Sequence, residues 1–352
     1  MDERVRRLAE VLVHYSTKVE NGEYVMINGD TEAEQLLKEL YRLVLKNGAY
    51  PIMKIGFDWQ SFIYYNTSSE EQLKHFPEIA FDELKRANVI INVSAGRNTR
   101  QLTNIDPRLL SIRQKVLELF KEEQLKKRWV IFDYPSDSLA QEAEMSTEEF
   151  EDFVYGACLQ DWEEKTKELD KAVNIMNNGK LIRIIGEDTD VSFSNEGRKF
   201  IKGDGRHNMP DGEIFTAPVE KSVNGYIKFS YPAIRGGREV SGVRLVFKDG
   251  KIVEFSAEKN EDYLSKMVDT DEGSRHLGEV GIGLNYGITK HIKNILFDEK
   301  IGGTIHMAIG SAYAECGGVN KSAVHWDIIK DMRRSGKIFV DGKLVYENGE
   351  FL

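Results

Sequence analysis

The chain has 352 residues, a length that favours two domains at the usual ~150 residues per domain. Lys and Arg number 48 against 58 Asp and Glu, and the net charge of −10 argues against a nucleic acid as the main partner. The composition, 41% hydrophobic and 30% charged, is that of an ordinary globular chain and excludes extended disorder or a repeat array.

Export and membrane insertion are also unexpected. No apolar run approaches the ~20 residues that span a bilayer, and charges interrupt the N-terminal segment, which therefore lacks the apolar core of a signal peptide. Cys158 and Cys316 are the only cysteines, too few for a disulfide framework. We expect a cytoplasmic protein without a membrane partner.

The first half of the chain predicts alternating strands and helices. One βαβ unit runs from a strand at Tyr24 through an amphipathic helix to a strand at Tyr50, with Gly48 where a left-handed C-cap would fall. Strand-sized apolar runs return at 89–93 and 129–132. This order predicts an α/β domain with a parallel sheet.

A helical stretch follows and ends the first domain. Ser146 and Glu149 form a capping-box pattern, and the helical composition behind them continues to a stop at Gly179. We place the domain boundary there, with an N-terminal domain of residues 1–180 and a C-terminal domain of residues 181–352.

The second half changes to short alternating runs joined by tight turns. LIRIIG, DVSFS and VRLVFKDGKIVEFSA alternate as half-buried strands do, and Asp249-Gly250 and Asp341-Gly342 supply the positive φ that hairpin turns need. This pattern of short alternating runs and tight turns predicts an α+β domain rich in antiparallel strands.

Two histidines lie on strand-like segments of this half. In 324–329 a period of two puts His325 and Asp327 on one face, and in 304–309 His306 alternates with aliphatic side chains. Three more acidic residues stand in Gly-rich or apolar surroundings, namely Glu213, Glu279 and Glu299.

These six residues together suggest a metal centre. Ionised carboxylates in apolar surroundings cost several kcal/mol unless cations compensate them, and cationic side chains near these segments are few. Four carboxylates and two imidazoles suit two divalent ions with one carboxylate bridging. Such mixed nitrogen and oxygen ligands accept zinc, cobalt, manganese or magnesium.

Each residue also has a simpler interpretation. A lone histidine on an apolar strand is more often a hydrogen-bonded core residue than a ligand. Glu213 and Glu279 could cap backbone amides at Gly-rich turns, and Glu299 could belong to a solvated surface cluster with its charged neighbours. No fixed metal-binding spacing decides between these interpretations.

Four ordered motifs carry a family resemblance. GEIFTAPVE, GEVGIGLN, LFDEKIGGTIHMAIGSAY and SAVHWDII closely resemble the C-terminal segments of the thermophilic aminopeptidase family, the aminopeptidase T type of dinuclear metallopeptidase. YPSDSLAQEAEMSTEEFEDFVYGACLQDW resembles that family's helix leading out of the first domain. The resemblance therefore covers nearly the whole chain.

The resemblance implies a metal-dependent aminopeptidase that acts on short peptides as a homodimer. It places metal ligands at six positions, Glu213, Glu279, Glu299, His306, His325 and Asp327. The family's tyrosine seven residues after the first histidine falls on Tyr313, whose phenol could stabilise a developing oxyanion. Glu279 and Glu213 are the candidates for the general base.

Other classes of function stay open at this point. Two divalent ions would serve a phosphoesterase equally well. A non-catalytic protein whose two lobes close on a small ligand would also fit two domains. A degenerate family member is a third alternative, although every motif position that can be aligned is intact.

Overall fold

The computed structural model describes residues 2–352, which form two compact units. The first unit comprises the residues up to Leu159 together with 205–210, and the second comprises Gln160–Asp204 and Asp211–Leu352. Within the described range no helix is long and apolar enough to cross a bilayer. The domain boundary at residue 180 stays a prediction.

The elements of the first unit alternate between helix and strand along the chain. They are α1 Glu3–Glu10, β1 Tyr24–Asp30, α2 Glu34–Lys46, β2 Tyr50–Gly56, α3 Asp58–Thr67, α4 Glu70–Lys74, α5 Glu78–Arg86, β3 Val89–Ser94, α6 Pro107–Val116, α7 Glu118–Leu125, β4 Arg128–Asp133, α8 Asp137–Glu142 and α9 Thr147–Cys158. A π-helical segment, Val11–Ser16, continues α1, and a 3₁₀ turn, Thr31–Ala33, leads into α2.

The remaining elements are mostly strands. They are α10 Trp162–Asn177, β5 Leu181–Gly186, β6 Thr189–Ser194, β7 Ile201–Gly203, β8 Asn208–Met209, β9 Glu213–Thr216, β10 Asn224–Lys228, β11 Ala233–Arg235, β12 Arg238–Val240, β13 Arg244–Lys248, β14 Lys251–Ser256, α11 Glu261–Val268, β15 Leu277–Gly283, α12 Ile295–Asp298, β16 Thr304–Gly310, β17 His325–Asp331, β18 Lys337–Val340, β19 Lys343–Glu347 and β20 Glu350–Phe351. Two short 3₁₀ turns, Gly273–Arg275 and Ala314–Cys316, complete this part of the chain.

The first unit contains the predicted parallel sheet. Its order is β2-β1-β3-β4-β8, and every neighbouring pair of strands is parallel. In β3 the consecutive residues Val89, Ile90 and Ile91 are all buried, which requires cover on both faces of the sheet. Gly48, with φ +73°, supplies the left-handed residue that ends α2.

One helical prediction is wrong in detail. The stretch behind Ser146 is not a single helix, because α9 ends at Cys158 and α10 begins at Trp162. The capping box of Ser146 and Glu149 is present at the start of α9. The Asp161 carboxylate accepts a hydrogen bond from the Glu164 backbone amide at 3.0 Å and starts a second helix.

The second unit contains two antiparallel sheets that share one core. The eight-stranded sheet has the order β14-β13-β10-β6-β5-β18-β19-β20, and the five-stranded sheet has the order β17-β16-β15-β9-β7. Side chains from both sheets, including Ile182 and Phe193 on one and Ile305 and Ile328 on the other, form a single buried cluster. The predicted fold class, α/β followed by an antiparallel-rich α+β part, is confirmed.

Candidate metal centre

Five of the six predicted ligands lie on one face of the five-stranded sheet. Its register pairs His306 with Gly281 and Asp327 with Ala308. Directly opposed residues project from the same face of a sheet. His325 is opposite Gly310 and two residues from Asp327, so it shares that face.

The same register adds the two glutamates on β15 and β9. Glu279 is opposite Ala308, and Glu213 is opposite Gly283. The other face carries the apolar residues of the shared core, such as Met307 and Trp326. Because side chains alternate along each strand, one face of the sheet packs against the apolar core and the other carries the ionisable groups.

Small residues leave room for these groups. A Cβ on Gly281 would lie 2.1 Å from ring atoms of His306, so no side chain fits beside this imidazole. A Cβ on Gly310, which has φ +100°, would lie 2.1 Å from the Val324 carbonyl oxygen. The glycines that the sequence concentrates in these motifs are thus required by close packing and by backbone conformation.

Glu299 reaches the cluster from the residue that follows α12. Its backbone carbonyl accepts a hydrogen bond from His306 Nδ1 at 2.9 Å. The neighbouring Asp298 carboxylate accepts one from the Ile292 amide at 2.7 Å and so ties the preceding loop to this turn. The Glu299 side chain is 17% exposed and lies in one group of donor atoms with His306 and Asp327, which does not fit a solvated surface cluster.

The two imidazoles are oriented in the same way. His306 Nδ1 donates to the Glu299 carbonyl, and His325 Nδ1 donates to the Ser311 carbonyl at 2.8 Å. The Nε2 atoms of both rings therefore face the carboxylates. His306 Nε2 lies 3.4 Å from Glu213 Oε2 and 3.5 Å from Glu279 Oε1.

His325 completes the arrangement on the other side of Glu279. Its Nε2 lies 3.3 Å from Glu279 Oε2 and 3.3 Å from Asp327 Oδ2. A carbonyl oxygen only accepts hydrogen bonds, so in a neutral ring Nδ1 carries the proton and the Nε2 lone pair faces negative oxygens. These contacts require a proton or a metal cation between Nε2 and the carboxylates.

Without a metal, protons fill this role. Burial opposes protonation of both rings, but Glu279 and Glu213 raise the pKa of His306 to about 10, and Asp327 and Glu279 raise that of His325 to about 11. Burial also opposes ionisation of Asp327, yet the charge of His325 outweighs it and lowers the pKa of Asp327 to about 2. The electrostatics of the site thus favour positive charge at the Nε2 positions.

The donor atoms form two groups that share Asp327. One consists of Glu279, His325 and Asp327, the other of Glu299, His306 and Asp327, and within each group the atoms lie within 4.8 Å of one another. Among residues 2–352, Glu213 Oε2 and Asp327 Oδ1 are buried side-chain oxygens without a hydrogen-bond partner. Orphaned carboxylate oxygens beside available imidazole nitrogens fit divalent cations.

Lys300 is the residue of the site that the sequence did not single out. Its side chain is fully buried, its Nζ contacts Glu299 Oε1, and it lies 3.4 Å from Glu213 Oε1. Burial opposes its charge, but Glu213 and Glu299 outweigh burial and raise the pKa of the ammonium group. Lysine is almost never fully buried unless it is paired, so composition alone gave no reason to place it here. The expectation that cationic side chains near these segments are few is therefore corrected: one ammonium group, that of Lys300, lies inside the cluster.

Tyr313 lies beside the imidazole of His325. The ring centroids are 5.1 Å apart, and Phe215 contacts the tyrosine ring on an edge at 5.6 Å. Burial, followed by the charges of Glu279 and Asp327, raises the pKa of the phenol. The hydroxyl therefore stays protonated and is available as a hydrogen-bond donor.

Several curated aminopeptidases are similar to this chain in sequence. The chain is 26% identical to Aminopeptidase 2 of Geobacillus stearothermophilus, over 97% of this chain and 94% of that protein. It is 39% identical to Aminopeptidase T of Thermus aquaticus over a shorter stretch, 39% of this chain and 36% of that protein.

Two solved structures share the fold. AmpT from Thermus thermophilus superposes with a TM-score of 0.87 at 24% identity and 99% coverage of both chains. A 2,5-dihydroxypyridine dioxygenase from Pseudomonas putida reaches a TM-score of 0.65 at 13% identity, so the fold by itself does not specify one chemistry. The model of the thermophilic metalloprotease family (M29) matches residues 1–351. The chain therefore belongs to the M29 family of thermophilic metalloproteases.

Proposed function

We propose that this protein is a metal-dependent aminopeptidase that releases N-terminal residues from short peptides. The observation that carries the proposal is the convergence of two imidazoles and four carboxylates, with both Nε2 atoms directed at carboxylate oxygens. Family membership supplies the metal dependence and the peptidase class. Its similarity to proteins named as aminopeptidases supports action at the N-terminus of the substrate.

The site suits two divalent ions. Glu279, His325 and Asp327 would hold one, and Glu299, His306 and Asp327 would hold the other, with Glu213 beside His306. Four carboxylates would face the four positive charges of two divalent ions and the ammonium group of Lys300. The mixed nitrogen and oxygen donors suit zinc, cobalt, manganese or magnesium.

When bound, divalent cations lower the pKa of a coordinated water and polarise a carbonyl group. The free amino group at the N-terminus of a peptide, when unprotonated, offers a nitrogen lone pair to such a cation, which would explain a requirement for a free N-terminus. Glu279 or Glu213 accepts the proton of the attacking water and returns it to the leaving amine. Tyr313 donates a hydrogen bond to the developing oxyanion.

The proposal is tested with tripeptides that carry a free or an acetylated N-terminus. We expect cleavage of the free peptide only, with loss of activity after chelation and recovery when a divalent metal is added. His325→Ala should lose both bound metal and cleavage. Unimpaired cleavage by metal-free protein, or hydrolysis of phosphate esters in place of peptides, would contradict the proposal.

We also propose a cytoplasmic homodimer without nucleic acid as a partner. Both cysteines are buried and free, as a reducing compartment allows, and the net charge of −10 disfavours polyanions. Sedimentation equilibrium tests the dimer, and a concentration-independent monomer would exclude it.

A further inference from the structure

One difference between the two groups of donor atoms is the position of Lys300. This side chain is fully enclosed, and its ammonium group contacts the carboxylates of Glu299 and Glu213. A buried ammonium is tolerated only where anions compensate it. Lys300 is thus a fixed positive charge at one end of the cluster.

The other end of the cluster has no such charge. Among residues 2–352, Glu279 and Asp327 form ion pairs with the imidazoles only. Glu279 therefore has no ammonium group within ion-pair distance, whereas the charge of Lys300 reaches Asp327, which both groups share, at longer range. The group of Glu299, His306 and Asp327 shares Glu299 with the ammonium of Lys300.

We propose that Lys300 is a positioning residue that makes the two cation positions unequal in affinity. It holds Glu299 and Glu213 in place when only the first cation is bound, and it competes with the second cation for those carboxylates. The tight position is formed by Glu279, His325 and Asp327, and the weak one by Glu299, His306 and Asp327. The inference rests on the proposed function, because it assumes that both groups bind divalent metal.

The physical reason is repulsion between like charges. A cation that binds beside Glu299 must share this carboxylate with an ammonium that cannot leave, since its side chain is fully buried. The same ammonium prevents Glu299 and Glu213 from repelling each other while the weak position is empty. Available metal would therefore control how much of the protein carries its second ion.

Equilibrium titration of metal-free protein with Co²⁺ tests this inference. Bound cobalt is measured by dialysis with elemental analysis, and its visible absorption reports the ligands. We expect the second ion to bind more weakly than the first by roughly 10–100-fold, the range found when a group that contacts a metal ligand is altered. In Lys300→Met the two affinities should become similar.

Two further variants separate a charge effect from a loss of structure. Lys330→Met is the matched control, because Lys330 is also buried but donates to the Glu187 carbonyl at 2.5 Å, away from the cluster. It should retain the unequal affinities. Glu299→Gln should lose the weak ion and keep the tight one.

The outcomes are distinguishable. Equal affinities in the unaltered protein, or a ratio that Lys300→Met leaves unchanged, would overturn the role of Lys300. Absence of bound cobalt in the unaltered protein would overturn the proposed function instead. If Lys300→Met fails to fold, Lys300→Gln decides the question, because it removes the charge and keeps a hydrogen-bond donor for Glu299: similar affinities support the role of Lys300, and an unchanged ratio overturns it.

Discussion

Substitution of Glu279 by glutamine tests the centre of the site most directly. The change keeps the shape of the side chain and removes one negative charge that faces both imidazoles, at 3.5 Å from His306 Nε2 and 3.3 Å from His325 Nε2. Two unit charges at such a separation interact by about 5 kcal/mol at an effective dielectric constant of about 20. This energy corresponds to a factor of roughly 10³–10⁴ in the binding of a cation.

We therefore expect Glu279→Gln to weaken cation binding by roughly three orders of magnitude. Loss of a proton acceptor lowers kcat by a further ~10²–10⁴-fold if Glu279 is the general base. Cation binding is measured by dialysis against buffered Zn²⁺ or Co²⁺, and turnover by release of the N-terminal residue from a tripeptide at saturating metal. Comparison with Glu213→Gln under the same conditions identifies the base.

Glu220→Gln is the matched control, because Glu220 pairs with Arg198 at 2.7 Å and is not a member of either donor group. It should bind metal and cleave peptides as the unaltered protein does. Undiminished cation affinity together with unchanged turnover in Glu279→Gln would refute the assignment of this carboxylate to the metal centre.

Three other predictions follow from single features of the structure. Gly281→Ala should displace the His306 ring, since a Cβ would lie 2.1 Å from it. We expect the loss of one cobalt ion and a free energy of unfolding lower by ~1–3 kcal/mol in urea. Unchanged cobalt binding would contradict the close packing. Tyr313→Phe should lower kcat by roughly 10²–10³-fold with normal metal content, and an unaltered kcat would exclude the phenol from catalysis. Burial lowers the pKa of His291 to about 4, below its ordinary 6.5, so the folded protein binds this proton less readily than the unfolded chain does. The stabilisation that comes from the neutral imidazole is complete above pH 6.5, and the free energy of unfolding should fall by up to about 3 kcal/mol as the pH drops through about 4. In His291→Asn the free energy of unfolding should depend less on pH, as measured by denaturation curves recorded across that range.

Much of the fold was predictable from hydrophobic patterns. Alternation and Asp-Gly turns predicted the antiparallel half, and at the turns Asp249 and Asp341 adopt φ values of +50° and +47°. The break between α9 and α10 was not predicted, because its residues are compatible with a helix and a single cap at Asp161 decides the matter. The strand β8 is only two residues long, too short for any periodicity.

The candidate site was predictable within a strand but not between strands. The period of two places His325 and Asp327 on one face, whereas the pairing of His306 with Gly281 depends on a register that one sequence does not reveal. The resemblance to known aminopeptidases supplied that link for the six proposed ligands, and the family is confirmed. The sequence offered Lys300 only as a charged surface neighbour of Glu299, because it lies outside any strand pattern and its residue type is normally exposed.

Residues 205–210 belong to the first unit although the chain has already entered the second. There β8 pairs with β4, and the Ile131 amide donates to the His207 carbonyl at 2.8 Å. A polypeptide truncated after Leu159 would leave that edge of β4 unprotected, and exposed edges recruit other chains. Exchange of one contiguous segment of the gene would separate β8 from β4 and disrupt the parallel sheet. We therefore expect the two units to stay together in one chain.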